Sequence, residues 1–494
     1  MRISSQVFFM RNTTSLMEQQ ASLSDQNVHI SSTKRVLNAS DDPVAIATIQ
    51  RLKQELSVGE QYITNGETAQ SANELSDTVL TQSTYILQRV RELIVSGSNG
   101  TNSEASREAI AVELEGLKEE LMGIANTQDG NGQYIYAGYE VNTQPFQLNE
   151  FGEVDYEGDS GERSIRIGSG VTVKANDAGD KVFMNVAEGN GTFVSELGAA
   201  NNGSGIISAG NVVNENSARD YLDQDYTIAI TDGANGPEYS VYGLKEDSVS
   251  GSANIRVSSV DLSDANIGTV NPDINDTVDI SFLETATNQF YIVVNGESSA
   301  PSFYDASNTD TQTLNINGVS VEVDGLPVNG DSYELTKFVE PTPYQDNQSI
   351  SFNGIKTEIK GDVLDGDSFT LRQSEERDMF AMIQGAIDTL RITGTDEVSG
   401  AERTTAFSMS LLQIDNAIGN IVSTQTSVGA RLNTIDNQYD SLLDFNLTTQ
   451  TQLSSLEDLD MAAAISEYQQ QYSMLEVSQQ TFVQLQQLSL FSLI

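Results

Sequence analysis

The sequence predicts an α+β protein: a long antiparallel helical coiled-coil bundle formed by the two terminal segments, with an inserted β-rich domain. Three observations carry this prediction. In the outer segments, apolar residues recur at alternating steps of three and four, which places them on one stripe of a helix. Six of the eight prolines lie between Pro237 and Pro343, whereas none precedes Pro43. The middle instead shows short alternating runs separated by Asx-Gly dipeptides, which are typical of β-hairpins.

The apolar spacing predicts where each helix lies along the chain. The clearest pattern runs from Phe407 to Leu442 and is out of phase only at Gln425. A turn-prone stretch precedes Pro43, where Ser40 or Asp41 can cap the next helix and a proline suits its first turn. The C-terminal tail carries two adjacent apolar stripes, so its helix needs neighbours on more than one side. The predicted helices span residues 3–28, 43–93, 110–124, 380–390, 407–442 and 453–494.

The middle segment contains an internal repeat. The block Gly330-Asp331-Ser332-Tyr333 matches Gly366-Asp367-Ser368-Phe369. Each copy is interpreted as a hairpin, over residues 317–335 and 353–371, within one sheet system. Acidic residues such as Asp331, Asp365 and Asp367 are expected at solvated hairpin tips; oxygen ligation of Ca²⁺ is the alternative, although the EF-hand pattern is missing.

These patterns divide the chain into three regions. Residues 1–40 and 450–494 are predicted to be terminal helical arms. Residues 41–150 and 374–449 are predicted to form the helical bundle domain. Residues 151–373 are predicted to form the inserted β-rich domain. The arms carry apolar faces that two helices alone bury poorly, so we expect them to stay loose until other subunits cover them.

The chain is strongly acidic, with 71 Asp and Glu against 25 Lys and Arg and a formal charge of −46. Nucleic-acid binding needs clustered Lys or Arg, so this charge argues against it, and it argues equally against an anionic membrane surface. The charge is expected to keep a solvated surface soluble, with adaptation to a salty environment as the alternative. No apolar run approaches the ~20 residues needed to span a bilayer, and the start of the sequence lacks the apolar core of a cleavable signal peptide.

The residue inventory argues against catalysis. The chain has no cysteine and a single histidine, His29, which removes thiolate and multi-histidine metal sites and Cys–His nucleophiles. No Gly-rich phosphate loop is present, and nothing singles out an acidic pair for glycosidase chemistry. His29 is expected to be structural or solvent-exposed. The sequence therefore predicts a protein that is not an enzyme and that uses no cofactor or metal.

Three stretches of the sequence resemble the flagellin superfamily. Residues 32–43 (STKRVLNASDDP) look like the N-terminal signature of that superfamily, with Thr33 where the family commonly has glycine. Residues 129–146, which begin DGNGQYIYAGY, are similar to the hook–filament junction branch in particular. The ending, from Tyr468 to Phe491, also resembles that branch more than filament flagellin. The resemblance covers roughly residues 1–146 and 375–494 and leaves the middle domain uncovered.

The resemblance implies a structural subunit of the bacterial flagellum. It implies export through the flagellar type III channel to an extracellular location. It also implies arms that form an inner tube, a surrounding bundle layer and an outward-facing middle domain. The implied partners are further copies of the chain in a ring, hook-associated protein 1, flagellin, and an export chaperone on the C-terminal helix. The alternatives are a filament flagellin, or an adhesive or carbohydrate-binding module carried by the middle domain.

The same resemblance gives two sets of candidate assembly residues. The first set forms the polar joint between arm and bundle, where either basic residue could pair with either aspartate; an exposed pair of this kind is worth only about 0–1 kcal/mol. The second set is apolar and is expected to carry subunit contacts. The joint residues are Lys34, Arg35, Asn38, Asp41, Asp42 and Pro43. The contact residues are Met10, Met17, Tyr468, Leu475, Phe482, Leu485, Leu488 and Phe491.

Overall fold

The computed structural model describes residues 5–219, 224–252, 254–260, 277–294, 297–307, 312–316, 319–394 and 396–491. The chain divides into two compact units. Unit 1 comprises residues 1–71, 164–174 and 431–494. Unit 2 comprises residues 72–163 and 175–430. The helical ends and the β-rich middle confirm the predicted α+β fold class.

Seven α-helices are described, and two of them are much longer than the predicted stripes. The C-terminal run predicted over 407–442 continues for 61 residues, and the second helix extends for 55 residues. Among the described residues, no helix is long and apolar enough to cross a membrane. The helices are α1 Ser5–Ser32, α2 Pro43–Gly97, α3 Glu104–Ala125, α4 Glu215–Arg219, α5 Met379–Arg391, α6 Glu397–Glu457 and α7 Met461–Phe491.

Polar contacts fix the register of the helices in unit 2. The out-of-phase Gln425 on α6 donates through Nε2 to Asp77 Oδ1 (3.0 Å) and Thr81 Oγ1 (2.9 Å) on α2. A polar side chain at a seam position selects one register because any other leaves its amide unpaired. The buried Arg107 of α3 donates to the carbonyls of Leu390 and Ile392 and so satisfies the end of α5.

The strands lie mostly in the middle of the sequence. Short irregular segments also occur there, including a π-helical turn at Asp180–Met184. The strands are β1 Phe146–Leu148, β2 Val154–Tyr156, β3 Ser164–Gly168, β4 Val171–Lys174, β5 Val186–Ala187, β6 Phe193–Leu197, β7 Ile206–Ile207, β8 Asn211–Val212, β9 Gln224–Gly233, β10 Gly236–Ser248, β11 Asn254–Val260, β12 Thr277–Ala286, β13 Gln289–Val294, β14 Glu297–Asp305, β15 Gln312–Ile316, β16 Val319–Asp324, β17 Ser332–Pro343, β18 Gln348–Phe352, β19 Ile355–Lys360, β20 Ser368–Gln373 and β21 Glu376–Arg377.

One antiparallel sheet of eight strands organises the middle domain. Its order is β14-β13-β12-β17-β10-β9-β20-β6. Two smaller sheets accompany it: β11-β16-β15, and β18-β19 with β7 and β8 both paired to β19. Two separate apolar clusters fill the space beside this sheet, one centred on Phe282 and Tyr333 and the other on Ile228 and Phe369.

The predicted repeat units do not fold as two hairpins. Residues 317 and 318 lie outside the described residues, and the strands on either side of Asp331, β16 and β17, pair in different sheets. The same holds for β19 and β20 around Asp367. Around the repeat, the strands that pair as hairpins are instead β15 with β16 and β18 with β19. The physical reason is that the loop between the repeat strands turns the chain from a small sheet into the main sheet.

The hairpin β3–β4 also differs from the predicted domain boundary. The prediction assigned residues 164–174 to the inserted domain, whereas the structure groups them with unit 1. Ile167 and Val173 are buried beside Ala69 of α2 and Ile435 of α6. Asn65 Nδ2 on α2 donates to the carbonyl of Arg166 (2.8 Å). This hairpin therefore covers the helices of unit 1.

Candidate assembly site

The joint between α1 and α2 is built on the end of α6. The last carbonyls of a helix lack partners within the helix. The Arg35 backbone N–H donates to the carbonyl of Glu457 (2.7 Å), and Arg35 Nη2 donates to the carbonyl of Leu456 (2.8 Å). The Leu459 N–H in turn donates to the carbonyl of Thr33 (3.0 Å). The segment after α1 thus satisfies the C-terminus of α6 and directs the chain toward α7.

One buried carboxylate holds this joint together. Glu457 Oε1 accepts from Lys34 Nζ at 2.5 Å and from Lys53 Nζ at 2.7 Å, and its side chain is only 8% exposed. Burial raises the pKa of Glu457, but the hydrogen bonds from the two lysines outweigh it and leave that pKa below its usual value. The hydrogen bond to Glu457 raises the pKa of Lys34. These charges tie the ends of α1, α2 and α6 together.

The two aspartates of the signature accept backbone hydrogen bonds and do not act as ion-pair partners. Asp42 Oδ1 accepts from the N–H groups of Val44 (3.1 Å) and Ala45 (2.9 Å), so Asp42, and not Ser40 or Asp41, caps α2. Asp41 Oδ2 accepts from the N–H groups of Asn38 and Leu37, and these bonds lower the pKa of Asp41. The predicted pairing of Lys34 or Arg35 with these aspartates is wrong, because the end of α6 supplies the stronger acceptors.

An apolar contact lies beneath the polar joint. Val36, Ala45 and Ile49 are buried, and Leu453 and Leu456 of α6 pack against them. Pro43 is the first residue of α2, as predicted. His29 donates through Nδ1 to the carbonyl of Lys34 (2.9 Å). The joint therefore consists of a small apolar core together with the ion pairs of Glu457 and the hydrogen bonds of Arg35.

Thr33 adopts a backbone conformation that its side chain disfavours. Its φ angle is +57°, in the left-handed region. For L-residues other than glycine this region costs roughly 1–2 kcal/mol, and a β-branched residue is an outlier there. The reversal between α1 and the segment that contacts α6 requires this angle. The joint therefore contains a local strain that the surrounding hydrogen bonds maintain.

Helices α1 and α7 pack against each other and leave apolar side chains exposed. Ser22 Oγ on α1 reaches Gln471 Oε1 on α7 at 3.5 Å. The pair is nearly free of charge: α1 contains only Arg11, Glu18 and Asp25 besides its histidine, and α7 contains only Glu467 and Glu476. The exposed large apolar residues are Val7, Met10, Met17 and Val28 on α1, and Met461, Ile465, Tyr472, Met474, Val477 and Val483 on α7.

A groove of about 210 Å³ runs between the two terminal helices. Two polar atoms that line it, Asn12 Nδ2 and Gln19 Oε1, are buried and lack hydrogen-bond partners within the described residues. Unsatisfied buried polar atoms are costly. The groove is lined by Asn12, Ser15, Leu16, Gln19, Val477, Ser478, Thr481 and Phe482.

The predicted contact residues divide into four groups. Met10 and Met17 are each 65% exposed, on a surface that no described part of unit 1 covers. Tyr468 and Phe482 are half-buried, and the Tyr468 ring stacks on Tyr472 with centroids 6.4 Å apart. Leu475 is buried within the single chain, so its predicted role in contacts between subunits is wrong for this conformation. The side chains of Leu485, Leu488 and Phe491 lie outside the described residues, and their role stays a prediction.

Sequence reasoning missed the central residue of the joint. Glu457 was overlooked because nothing in the local pattern distinguishes it from the other acidic residues of α6. A signal was nevertheless present: Asp458-Leu459-Asp460 interrupts the helical spacing, and Asp460 caps α7 through the N–H groups of Ala462 and Ala463. A carboxylate next to a helix break is a natural partner for the basic pair on the other side of the joint.

Comparison with known proteins places these features in a class. The bacterial flagellin N-terminal helical region matches residues 3–141, and the bacterial flagellin C-terminal helical region matches residues 411–494. These regions contain both terminal helices and the joint. Both helical ends of the chain therefore match bacterial flagellin, and residues 142–410 lie outside these two matches.

The chain is also similar to flagellar hook-associated protein 3. The Escherichia coli (strain K12) protein of that name is 34% identical over 186 residues, and the Salmonella typhimurium protein is 35% identical over 188 residues. Each match covers 38% of this chain and 58% of the relative, so the chain spans little more than half the length of these relatives. The crystal structure of flagellar hook-associated protein 3 from Legionella pneumophila gives a TM-score of 0.61 at 26% identity. That match covers 83% of this chain and 98% of that one.

We predict that Glu457→Gln weakens the joint. The substitution removes the charge that both lysines contact, and hydrogen bonds to charged groups are worth about 1.5–3 kcal/mol. The exposed lysines regain water, which offsets part of the loss. Hydrogen exchange at the Arg35 and Leu459 amides measures the effect, and protection should fall by about tenfold. The control is Glu55→Gln, which breaks the exposed Arg51–Glu55 pair on α2 and should cost only about 0.2–0.5 kcal/mol.

The pH dependence of the Glu457 effect has a defined sign. Because the pKa of Glu457 is lowered in the folded chain, its contribution is complete above the pKa it has when unfolded. It disappears as the pH falls through the lowered value. The difference between the native protein and Glu457→Gln should therefore be constant near neutrality, begin to fall below pH 4.5, the ordinary value for this group, and vanish once the pH lies below the lowered pKa. A difference that persists unchanged in strong acid would contradict the role of the carboxylate.

We predict that Thr33→Asn stabilises the joint. Asparagine tolerates the left-handed conformation better than a β-branched residue, so up to about 1 kcal/mol of strain should be relieved. Amide protection at Arg35 should rise by up to about fivefold. Thr33→Val keeps the branched side chain and serves as the control that should show no gain. Equal protection in the asparagine and valine variants would mean that the angle carries no cost.

Proposed function

We propose that the chain is a structural subunit of the bacterial flagellum that forms the junction between hook and filament. The observation that carries the proposal is the α1–α7 pair, which is almost uncharged and exposes a row of large apolar residues. The similarity of the chain to hook-associated protein 3 supports the assignment. The chain would be exported and act outside the cell as part of the flagellum.

The exposed apolar residues supply an energy for assembly. Full burial of a methionine or similar side chain is worth about 1.5–3 kcal/mol. Met10, Met17, Tyr472 and Met474 are each more than half exposed in the single chain. Neighbouring subunits that cover these residues would offset the entropy lost on association. The same contacts could be repeated around a ring because every copy presents the same surface.

The partners follow from this role as proposals. Further copies of the chain would contact it laterally, hook-associated protein 1 on the side of the hook, and flagellin on the side of the filament. A chaperone that covers the C-terminal helix before export would prevent premature association of its apolar side chains. The joint at Glu457 would transmit force between the terminal helices and the rest of unit 1, because its bonds link α1, α2 and α6.

A deletion strain distinguishes the junction role from that of filament flagellin. Loss of a junction protein should leave hooks bare and release flagellin monomers into the medium. If the chain is instead a filament flagellin, its loss should leave hooks bare while the junction protein is still secreted and no flagellin monomers appear in the medium. Immunoblots of the medium and electron microscopy of the cells measure both. Flagellin retained on hooks in the deletion strain would overturn the proposal.

We predict that the double variant Met10→Ser, Met17→Ser folds and is exported but fails to join a filament. Both side chains are exposed, so the isolated chain should keep its helix content. Loss of two contacts that assembly would bury should lower the association constant by about two orders of magnitude or more. Val112→Ser, on an exposed position of α3, is the matched control and should complement the deletion strain.

A truncation that removes residues 488–494 extends this test to the region whose side chains are not described. The truncated chain should remain soluble and keep its bundle, yet release flagellin into the medium as the deletion does. Normal filaments grown from the double variant or from the truncated chain would contradict the assembly role of these helices.

A further inference from the structure

Two loops in the middle domain have the same construction. Asp331 and Asp367 are both 1% exposed, and neither lies at a solvated hairpin tip as the sequence suggested. The Asp331 carboxylate accepts from the N–H groups of Val328, Ser250 and Gly251. The Asp367 carboxylate accepts from the N–H groups of Leu364, Asn202 and Gly203. In both loops, therefore, a buried carboxylate ties a tight turn to a second, Gly-containing segment.

The backbone contacts around the two carboxylates are also the same. Next to Asp331, the Gly330 N–H donates to the Phe282 carbonyl and the Phe282 N–H to the Asp331 carbonyl. Next to Asp367, the Gly366 N–H donates to the Ile230 carbonyl and the Ile230 N–H to the Asp367 carbonyl. The Ser252 N–H donates to the Leu326 carbonyl, and the Ser204 N–H donates to the Asp362 carbonyl. A tyrosine hydroxyl is also placed alike: Tyr304 donates to the Gly325 carbonyl, and Tyr344 donates to the Gly361 carbonyl.

The strand registers correspond at constant offsets. Thr357 pairs with Ile350 in the β18–β19 hairpin, and the residues one repeat earlier, Val321 and Leu314, pair in β15–β16. The pairing of β7 with β19 agrees with the pairing of β11 with β16: Ile359 pairs with Ile207, and its counterpart Val323 pairs with Ile255. At the other end of the same strands, Ile355 pairs with Val212 and Val319 with Val260. The sequence separation from Ile207 to Ile255 equals that from Val212 to Val260, so both ends keep one register.

The eight-stranded sheet contains the same five-strand order twice. One copy is β6-β20-β9-β10-β17 and the other is β10-β17-β12-β13-β14. Strands β10 and β17 belong to both, as the last two strands of the first copy and the first two of the second. The segment between them supplies β11, β15 and β16, which form the small sheet of the second copy.

We infer that the middle domain consists of two copies of one folding unit, with the inner copy inserted into the β10–β17 hairpin of the outer copy. The inner copy is a separable surface module. The inference goes beyond the proposed function, since it concerns a part of unit 2 that contains neither α1 nor α7. In the inner copy, the β13–β14 connection is the position equivalent to the insertion point in the outer copy.

The two copies have separate cores. The cluster around Ile228 and Phe369 contains no residue between 249 and 331. The cluster around Phe282 is formed by the inner copy together with residues of the shared strands, such as Leu244 and Leu335, and a single residue of the outer strand β9, Ala229. The outer cluster is buried by contacts among its own residues. The outer copy therefore keeps a stabilising core when the inner copy is absent.

The register of the shared strands defines an excision. Gly243 and Thr336 are paired across β10 and β17. Replacing residues 244–335 in the full chain with Asn-Gly would close a two-residue hairpin at that pair. We expect the shortened chain to fold, with hydrogen exchange in residues 226–230 and 350–359 within about threefold of the native chain. Loss of protection in those segments would overturn the inference.

Two matched point variants test the inference in the full-length chain. Asp331→Ala leaves several inner-copy amides without their acceptor, so exchange should rise about tenfold or more in residues 280–283 and 321–324. Exchange in residues 350–359 should not change. Asp367→Ala should show the reverse pattern. If either variant raised exchange equally in both copies, the middle domain would be one cooperative unit and the inference would be wrong.

Discussion

The carbonyl groups at the end of α6 determine how the segment between α1 and α2 is held in unit 1. A helix of 61 residues ends at Glu457, and its terminal carbonyls require donors. The segment around Arg35 supplies them, and the Glu457 side chain binds the two lysines that lie beside it. This arrangement fixes where α1 ends and where α7 begins. Without it, α1 and α7 would be tethered only by flexible chain, and their apolar surfaces would have no defined direction.

Periodicity predicted the helices well because it depends on burial along a single element. The stripe over Phe407–Leu442 marked α6 correctly, although the helix extends beyond it at both ends. The ends were missed because exposed polar residues such as Glu397 and Ser454 carry no periodic signal. The joint was located from its signature, but its pairing was not. Lys34 and its partner Glu457 lie 423 positions apart, and local patterns do not encode a choice over that distance.

In the middle domain, the sequence revealed a long-range feature but not the pairing of its strands. The internal repeat was visible in the sequence, and it marks two loops with matching hydrogen bonds. Its strands were nevertheless assigned to the wrong partners, because Val319–Asp324 and Ser332–Pro343 follow one another in sequence but pair in different sheets. The buried aspartate at the turn redirects the chain. A short acidic turn is read from sequence as solvated, and its burial depends on amides supplied by a distant segment.

The insertion of one copy within the other has a consequence for the order of folding. Strands β10 and β17 of the outer copy are separated by the whole of segment 249–331, and closing so long a loop costs entropy before any contact forms. When the inner copy folds first, it brings these two strands side by side in register. The inner copy thereby shortens the effective loop, and the outer copy completes its sheet afterwards. A chain that reaches its destination unfolded would gain speed from this nesting.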